Sequence, residues 1–299
     1  MSLASAAPRA AGRAHLKQVA ADYLSLAKPG IVGLLVATAL ASMVAAAHGR
    51  PHLLAALAVA VGGSLAAGGA HSINCYIDRD IDAVMSRTRR RPIPDGRIPG
   101  WHALLLGIVA NVVAFAFLWA WANLVAAALA ALATLIYVFV YTIWLKRSTP
   151  QNIVIGGAAG AIPPLVGWAA VTGGLDLTAL SLFAVIFLWT PPHFWALAQI
   201  IARDYERAGV PMMPVVASRD WTKRQSVGYA VLTLGVSLVP FFTHAVGPIY
   251  LVGATILGLG LVVISVLDLR GKRWTRPLFA YSIAYLAALF TVLAVAGLL

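Results

Sequence analysis

The sequence contains few charged residues and almost no cysteine. Only 11% of its 299 residues are charged, whereas a soluble domain carries about 25%. This composition excludes a soluble domain with a polar shell. The single cysteine, Cys75, excludes an intramolecular disulfide and any cysteine cluster for zinc or an iron–sulfur centre. The first 30 residues lack the apolar stretch of a cleaved secretory signal, so we expect an uncleaved cytoplasmic arm there.

Apolar residues make up 61% of the chain and fall into long runs. A bilayer requires about 20 apolar residues for each spanning helix, and these runs are too long and continuous for the alternating strands of a barrel. The sequence therefore predicts an all-α fold, a polytopic membrane bundle of nine transmembrane helices. Residues 1–30 would form the arm and 31–299 the transmembrane domain. The predicted spans are 31–48, 53–74, 102–121, 124–144, 152–172, 178–200, 226–246, 248–267 and 278–298.

Basic residues are concentrated on one side of the predicted bundle, which we call the basic face. It comprises the arm and segments 75–101, 145–151, 201–225 and 268–277, and of the 22 Lys and Arg residues only Arg50 lies opposite. The positive-inside rule predicts a bacterial inner (plasma) membrane protein, or its mitochondrial inner-membrane equivalent, with a cytoplasmic N-terminus and an external C-terminus. The net charge of +12 indicates anionic lipid headgroups rather than nucleic acid as the partner of this face.

Three of the ten acidic residues, Asp78, Asp80 and Asp82, are packed into one short stretch of the basic face. Asn74, Asp78 and Asp82 recur every four residues, which places them on one side of a helix about 6 Å apart along its axis. Asp80 points elsewhere. Three oxygen side chains at a membrane helix end favour a hard cation such as Mg²⁺. The alternative is a solvated loop start with capping aspartates, but ionisable residues in membrane helices are usually functional.

A cluster of arginines follows Asp82: Arg87, Arg89, Arg90, Arg91 and Arg97. Arginine binds phosphate oxygens in bidentate fashion. We therefore predict that a diphosphate binds beside the metal. For Arg90 and Arg97, anchoring at the membrane surface is an equally good interpretation. The predicted diphosphate-binding residues are Lys28, Arg87, Arg91, Lys146, Arg147 and Arg203.

A second acidic loop begins just after the sixth predicted span. Asp204 lies there at the depth of Asp78 on the first loop, so the two loops could share one or two Mg²⁺ ions. The predicted catalytic and metal-binding set is thus Asn74, Asp78, Asp82 and Asp204.

His193 lies beside the helix-breaking pair Pro191-Pro192, where a histidine can ligate iron, donate a hydrogen bond or satisfy a freed carbonyl. His71 precedes Asn74 by about one turn.

These features resemble the UbiA-type intramembrane prenyltransferase superfamily, and within it the branch that farnesylates haem. The resemblance extends over nearly the whole chain, and its most specific segments are Lys28-Pro29 and residues 74–94, 145–168, 189–198 and 204–216. It implies an all-α bundle, Mg²⁺, farnesyl diphosphate as donor and haem B as acceptor. The implied product is haem O, formed by farnesyl transfer to a haem vinyl group with addition of water. A downstream haem A synthase and cytochrome oxidase are implied too.

The superfamily often has a second Asp-x3-Asp motif, but here the residue four positions after Asp204 is Ala208, so the second metal site would lack that carboxylate. If haem is the acceptor, it would lie between the two acidic loops, with His71 or His193 helping to place it and Arg203 or Arg207 near its propionates. An aromatic or quinone-precursor acceptor is the first alternative. A transporter with an acidic cation site is the second, although such sites lie near the membrane midplane.

Overall fold

The computed structural model describes residues 7–299, and the side chains from Leu16 onward except that of Lys272. This part of the chain is helical and contains no strand. A short 3₁₀ turn joins two helices at Lys272–Trp274, and a ten-residue π-helix covers Ile136–Leu145. The α-helices are Ala7–Leu26, Pro29–Ala46, Leu53–Ile77, Arg79–Val84, Gly100–Trp121, Leu124–Leu135, Lys146–Ser148, Asn152–Ala161, Pro163–Thr172, Leu177–Ile200, Ala202–Arg207, Met213–Val216, Arg219–Ser237, Val239–Phe242, Pro248–Arg270 and Thr275–Leu298.

Nine helical segments of the described chain are long and apolar enough to cross a membrane, which confirms the predicted count and the all-α class. We number them span 1 to span 9. Span 7 begins at Arg219, earlier than predicted, because the Ser218 hydroxyl caps the helix by accepting the Trp221 N–H. The spans are Pro29–Ala46, Leu53–Ile77, Gly100–Trp121, Leu124–Ser148, Asn152–Thr172, Leu177–Ile200, Arg219–Phe242, Pro248–Arg270 and Thr275–Leu298.

Consecutive spans pack against each other, and span 9 packs against span 1, which closes the bundle into a ring. One apolar core joins spans 1 and 5 to spans 6–9. A second core joins spans 1 and 5 to spans 2–4. Spans 1 and 5 belong to both cores and contact each other directly, so they link the two halves of the bundle.

Glycines allow the closest helix contacts. A Cβ atom on Gly107 would lie 2.6 Å from the Gly69 carbonyl oxygen, and one on Gly69 would lie 2.8 Å from the Gly107 oxygen. At Gly167 a Cβ atom would lie 1.9 Å from the Ala39 oxygen. In lipid the hydrophobic effect does not hold helices together, because the lipid tails are as apolar as the helix surfaces. Close approach of two helices stabilises their contact instead by increasing the dispersion interactions between them. Spans 2 and 3, and spans 1 and 5, are therefore held at distances that only glycine permits.

Substituting Gly107 by Ala is expected to destabilise the protein by about 1–3 kcal/mol, because the added methyl must separate spans 2 and 3. The measurement is the Tm of the purified protein in detergent. Gly160→Ala is the matched control, since a Cβ there would meet nothing within 4 Å. Equal Tm values for the two variants would show that spans 2 and 3 do not pack this closely.

Two short helices follow spans 2 and 6 on the basic face. They are Arg79–Val84 and Ala202–Arg207, and each lies in one of the two acidic loops. A small apolar cluster packs these loops together, and its buried members include Ile81, Met85, Tyr205 and Met212. The fold thus brings the two acidic loops side by side.

Candidate active site

Asn74, Asp78 and Asp82 lie on one continuous helical face. The helix of span 2 ends at Ile77, but the Asp78 N–H donates to the Asn74 carbonyl at 2.9 Å and the Asp82 N–H to the Asp78 carbonyl at 2.8 Å. The four-residue register therefore continues through Asp78. All three residues are buried, at 4%, 1% and 3% exposure, while the Asp80 side chain is 61% exposed. Both the shared face and the different direction of Asp80 agree with the sequence prediction.

The Asn74 side chain is held by three partners. Its amide nitrogen donates to Asp78 Oδ2 at 2.7 Å and to Thr142 Oγ1 at 3.1 Å. Its oxygen accepts a hydrogen bond from Lys28 Nζ at 3.1 Å. The amide is therefore fixed with its oxygen toward Lys28.

Four of the six predicted diphosphate-binding residues converge on this face. Lys28 reaches Asn74, and Lys146 Nζ pairs with Asp78 Oδ2. Arg91 Nη1 lies 2.6 Å from Asp82 Oδ2. Arg147 Nη2 lies 3.8 Å from Asp78 Oδ1. We call Asn74, Asp78 and Asp82, with these four cations, the polar array.

The environment of the array changes the pKa values of its outer groups. Burial lowers the pKa of the Lys28 ammonium to about 8, and the neighbouring cations Arg91 and Lys146 also lower it. The Arg147 guanidinium bonds both oxygens of Asp80 at 2.7 Å and lowers the pKa of that carboxyl to about 2. Positive charge is thus concentrated beside the buried carboxylates, as a polyanion site requires.

The π-helix in span 4 shapes the wall of the array, and sequence reasoning missed it. Thr142 Oγ1 donates to the Tyr137 carbonyl five residues earlier at 2.8 Å, besides accepting from Asn74. The Tyr137 and Tyr141 rings stack with centroids 5.6 Å apart. π-helical turns are frequent at functional sites. The only available signal was the Tyr-x3-Tyr-Thr pattern inside an otherwise apolar run.

The two predicted histidines lie in different surroundings. His71 Nδ1 is 3.1 Å from the Tyr137 hydroxyl, so it belongs to the wall of the polar array. His193 Nδ1 is 2.7 Å from Ser282 Oγ. Its ring is stacked between Trp189 and Phe279, with centroids 4.4 and 4.9 Å away. His193 therefore occupies an aromatic pocket between spans 6 and 9.

Asp204 connects the two acidic loops instead of joining the polar array. Its Oδ2 accepts the Ser86 hydroxyl at 2.5 Å. This bond, together with the Ser86 and Arg87 backbone N–H groups and the Arg207 charge, lowers the pKa of Asp204, although burial opposes the shift. Tyr205 next to it is buried, which raises the pKa of its hydroxyl against the effect of Arg87 and Arg91. Arg87, Arg203 and Arg207 themselves have exposed positions on the surface of the loops.

The array has the donor set of a hard-cation site. Asp78 Oδ1 is buried and has no hydrogen-bond partner, which leaves a carboxylate oxygen available beside Asn74 and Asp82. Among the side chains that the structure describes, no three of His, Cys, Asp or Glu lie close enough together to hold a metal ion. The four predicted ligands therefore do not form one carboxylate cluster. Any metal here would rely on the amide of Asn74, the carboxylates of Asp78 and Asp82, and outside ligands such as phosphate oxygens.

Comparison with known sequences gives consistent results. The model of the UbiA prenyltransferase family matches residues 35–289. A protoheme IX farnesyltransferase of Roseiflexus sp. (strain RS-1) is 53% identical over 277 residues, 92% of this chain and 52% of that protein. The chain thus spans about half the length of this relative. A protoheme IX farnesyltransferase of Symbiobacterium thermophilum is 48% identical over 286 residues, 94% of this chain and 96% of that protein.

Solved structures share the fold at much lower identity. The structure of digeranylgeranylglyceryl phosphate synthase matches with a TM-score of 0.78 at 17% identity, covering 94% of this chain and 99% of that chain. A UbiA homolog from Archaeoglobus fulgidus bound to DMAPP and Mg²⁺ matches with a TM-score of 0.65 at 17% identity, covering 92% and 99%. The described chain therefore shares its overall fold with these proteins.

Proposed function

This chain belongs to the UbiA prenyltransferase family, and from that membership we propose that it is a protohaem IX farnesyltransferase. It would transfer the farnesyl group of farnesyl diphosphate to a vinyl group of haem B, with addition of water, giving haem O and diphosphate. The observation that carries the proposal is the polar array, in which two buried carboxylates lie among four cations. The identity of the acceptor rests on the farnesyltransferase relatives.

Diphosphate would bind at the polar array. Lys28, Arg91 and Lys146 already contact Asn74, Asp82 and Asp78, respectively. Arg147 extends the cationic surface outward. Mg²⁺, held by Asn74, Asp78 and Asp82, would supply electrostatic stabilisation of the departing diphosphate. Lys28, Arg91 and Lys146 would be free to turn toward phosphate oxygens once the carboxylates have another positive partner. The exposed Arg87 and Arg203 would guide the anion into the site.

The bond between farnesyl C1 and the diphosphate oxygen would break, and C1 would join the terminal vinyl carbon of haem. The adjacent vinyl carbon would then take hydroxide from water, whose remaining proton leaves to solvent. Tyr137 and Tyr141 present stacked aromatic faces beside the array, where they would stabilise the allylic cation. The packed spans would exclude water until the new carbon–carbon bond has formed.

Haem would lie with one edge toward the array and its ring near His193. The Trp189, His193 and Phe279 stack would form an aromatic wall of the haem site, and one ring nitrogen of His193 is already engaged by Ser282. His71 would act on the opposite side, through Tyr137. The exposed Arg207 would face the propionates. Asp204 would hold the two loops together through Ser86, because its bonds favour this role over metal binding.

An aromatic or quinone-precursor acceptor is the alternative within the same family. The fold does not decide between acceptors, because digeranylgeranylglyceryl phosphate synthase shares it. The aromatic rings around His193 support the proposal of a large planar acceptor. The same proposal places the protein in the bacterial inner membrane, with the basic face cytoplasmic, and a haem A synthase as the enzyme that takes up the product.

The deciding experiment is incubation of the purified protein in detergent with haem B, farnesyl diphosphate and Mg²⁺, followed by mass analysis of the haem. Haem should gain the mass of one farnesyl group and one hydroxyl group, and diphosphate should appear in equal amount. EDTA should stop both products. A parallel reaction with 4-hydroxybenzoate tests the alternative, and prenylation of that compound without any change of haem would refute the haem proposal.

Substituting His193 by Ala is expected to lower kcat/KM for haem about tenfold, because a buried hydrogen bond and a stacking surface are lost. The KM for farnesyl diphosphate should stay unchanged. His71→Ala is the matched variant. It should raise the KM for farnesyl diphosphate and leave kcat/KM for haem unchanged, since His71 contacts Tyr137 beside the array. Steady-state kinetics with each substrate varied in turn would measure both. Identical effects of the two variants on both substrates would contradict the assignment of the histidines to separate pockets.

A further inference from the structure

The helix Ala7–Leu26, which precedes span 1, is attached to the first acidic loop by one polar contact and to span 3 by another. Asp22 Oδ2 lies 3.0 Å from Arg97 Nε, and Gln18 Nε2 donates to the other carboxylate oxygen at 3.1 Å. The Tyr23 hydroxyl lies 2.5 Å from His102 Nδ1 at the start of span 3. Asp22 is only 7% exposed. We call the Asp22–Arg97 and Tyr23–His102 contacts the N-terminal latch.

The latch lies immediately before Lys28. Leu26 is fully buried against Cys75, Ile98 and Ala103, so the end of this helix is fixed between span 2, the loop and span 3. Lys28 itself has φ 52° and ψ 62°, a left-handed conformation that residues with a side chain rarely adopt. Such a conformation persists only where its surroundings impose it. The burial of Leu26 fixes the chain two residues before Lys28, and the Lys28 ammonium reaches Asn74.

Arg97 also organises the segment that bears Arg91. Arg97 Nη2 donates to the Arg90 carbonyl at 3.2 Å, and Arg97 Nη1 pairs with Asp95. The Arg97 backbone N–H donates to the Pro92 carbonyl at 2.8 Å. These bonds close the loop around Arg91, whose guanidinium bonds Asp82. One side chain therefore holds both the helix before Lys28 and the turn that bears Arg91.

We propose that Arg97 is a positioning residue, which through Asp22 and the Arg90 carbonyl sets Lys28 and Arg91 at opposite ends of the polar array. The Asn74–Asp82 face would then receive a prenyl diphosphate between two cations whose separation is fixed before binding. Pre-organisation of this kind raises affinity, because the cost of ordering the side chains is already met. The inference rests on the proposed function, since it assigns Arg97 and Asp22 to recognition of the diphosphate.

The test uses the full chain in detergent with Mg²⁺ and farnesyl thiolodiphosphate, an unreactive analogue, as calorimetric probe. Arg97→Gln and Asp22→Asn should each raise the Kd of the probe about tenfold. In turnover, each should raise KM for farnesyl diphosphate while kcat changes little, because neither residue touches the substrate. The reversed pair, Asp22→Arg with Arg97→Asp, should recover part of the lost affinity. Arg89→Gln, at an exposed position of the same loop, is the control and should bind like the wild type.

Each outcome decides the inference. Wild-type affinity in both Arg97→Gln and Asp22→Asn would overturn it. Equal losses in the single variants and the reversed pair, with a lowered Tm, would indicate a general structural role and would also overturn it. Should Arg97→Gln fail to fold, Asp22→Asn removes the same ion pair with an isosteric side chain and decides alone. Tight probe binding by a wild-type protein that leaves haem unchanged would refute the haem acceptor and leave the latch intact.

Discussion

Asp78→Ala is expected to lower kcat/KM by about 10³-fold, at the upper end of the losses seen when one preorganised electrostatic group is removed. Asp78 is the central member of the polar array and contacts both Asn74 and Lys146. Its Oδ1 is buried without a hydrogen-bond partner, so it is the oxygen best placed for a cation. Removal would also leave Lys146 unpaired in a buried site. Turnover of farnesyl diphosphate and haem B at saturating Mg²⁺ is the measurement.

Asp80→Ala provides the matched control for Asp78→Ala. It removes a carboxylate two residues away, but one that is exposed and bonded to Arg147 on the outer side of the helix. Exposed ion pairs contribute about 0–1 kcal/mol, so activity should fall no more than about threefold. Both variants should insert into membranes and elute as folded protein. Comparable losses at positions 78 and 80 would contradict the assignment of the active side to the Asn74–Asp82 face.

The number and approximate positions of the membrane spans could be predicted from the sequence because lipid imposes a simple constraint. Every spanning segment must satisfy its backbone internally, which demands about 20 apolar residues in a helix. The same regularity made the Asn74–Asp78–Asp82 spacing informative, since a helix repeats every 3.6 residues. The structure confirms nine candidate spans in the described chain and buries all three residues while exposing Asp80.

The features that sequence could not predict depend on contacts between distant segments. The π-helix that turns Thr142 toward Asn74 lies inside an apolar run whose composition fits an ordinary α-helix equally well. An acidic residue after a span, such as Asp204, carries no sequence signal that identifies its hydrogen-bond partner, so metal binding by Asp204 stays a prediction. The structure shows that partner to be Ser86, which lies 118 positions earlier. Arg97 was similarly ambiguous until its bonds to Asp22 and Arg90 were known.

Lys146→Ala is expected to lower kcat/KM by about 10²-fold, equivalent to about 2.7 kcal/mol. Lys146 follows the π-helix directly, and its ammonium pairs with Asp78. The backbone of Lys146 is therefore held by the π-helix of span 4 rather than by a loop. A cation at this depth would stabilise the charge that develops on the leaving diphosphate. Because this charge is greatest in the transition state, kcat should fall more than the affinity for farnesyl diphosphate.

Two further variants separate charge from geometry at Lys146. Lys146→Arg keeps the charge, but its planar guanidinium needs more room than an ammonium beside the buried Asp78, so activity should recover only in part. Arg147→Ala removes the neighbouring cation, which is 38% exposed and mainly bonded to Asp80. Its loss should be smaller than that of Lys146→Ala. A larger loss at Arg147 would mean that diphosphate departs through the outer side of the helix, and the inner array would then serve to bind substrate without promoting ionisation.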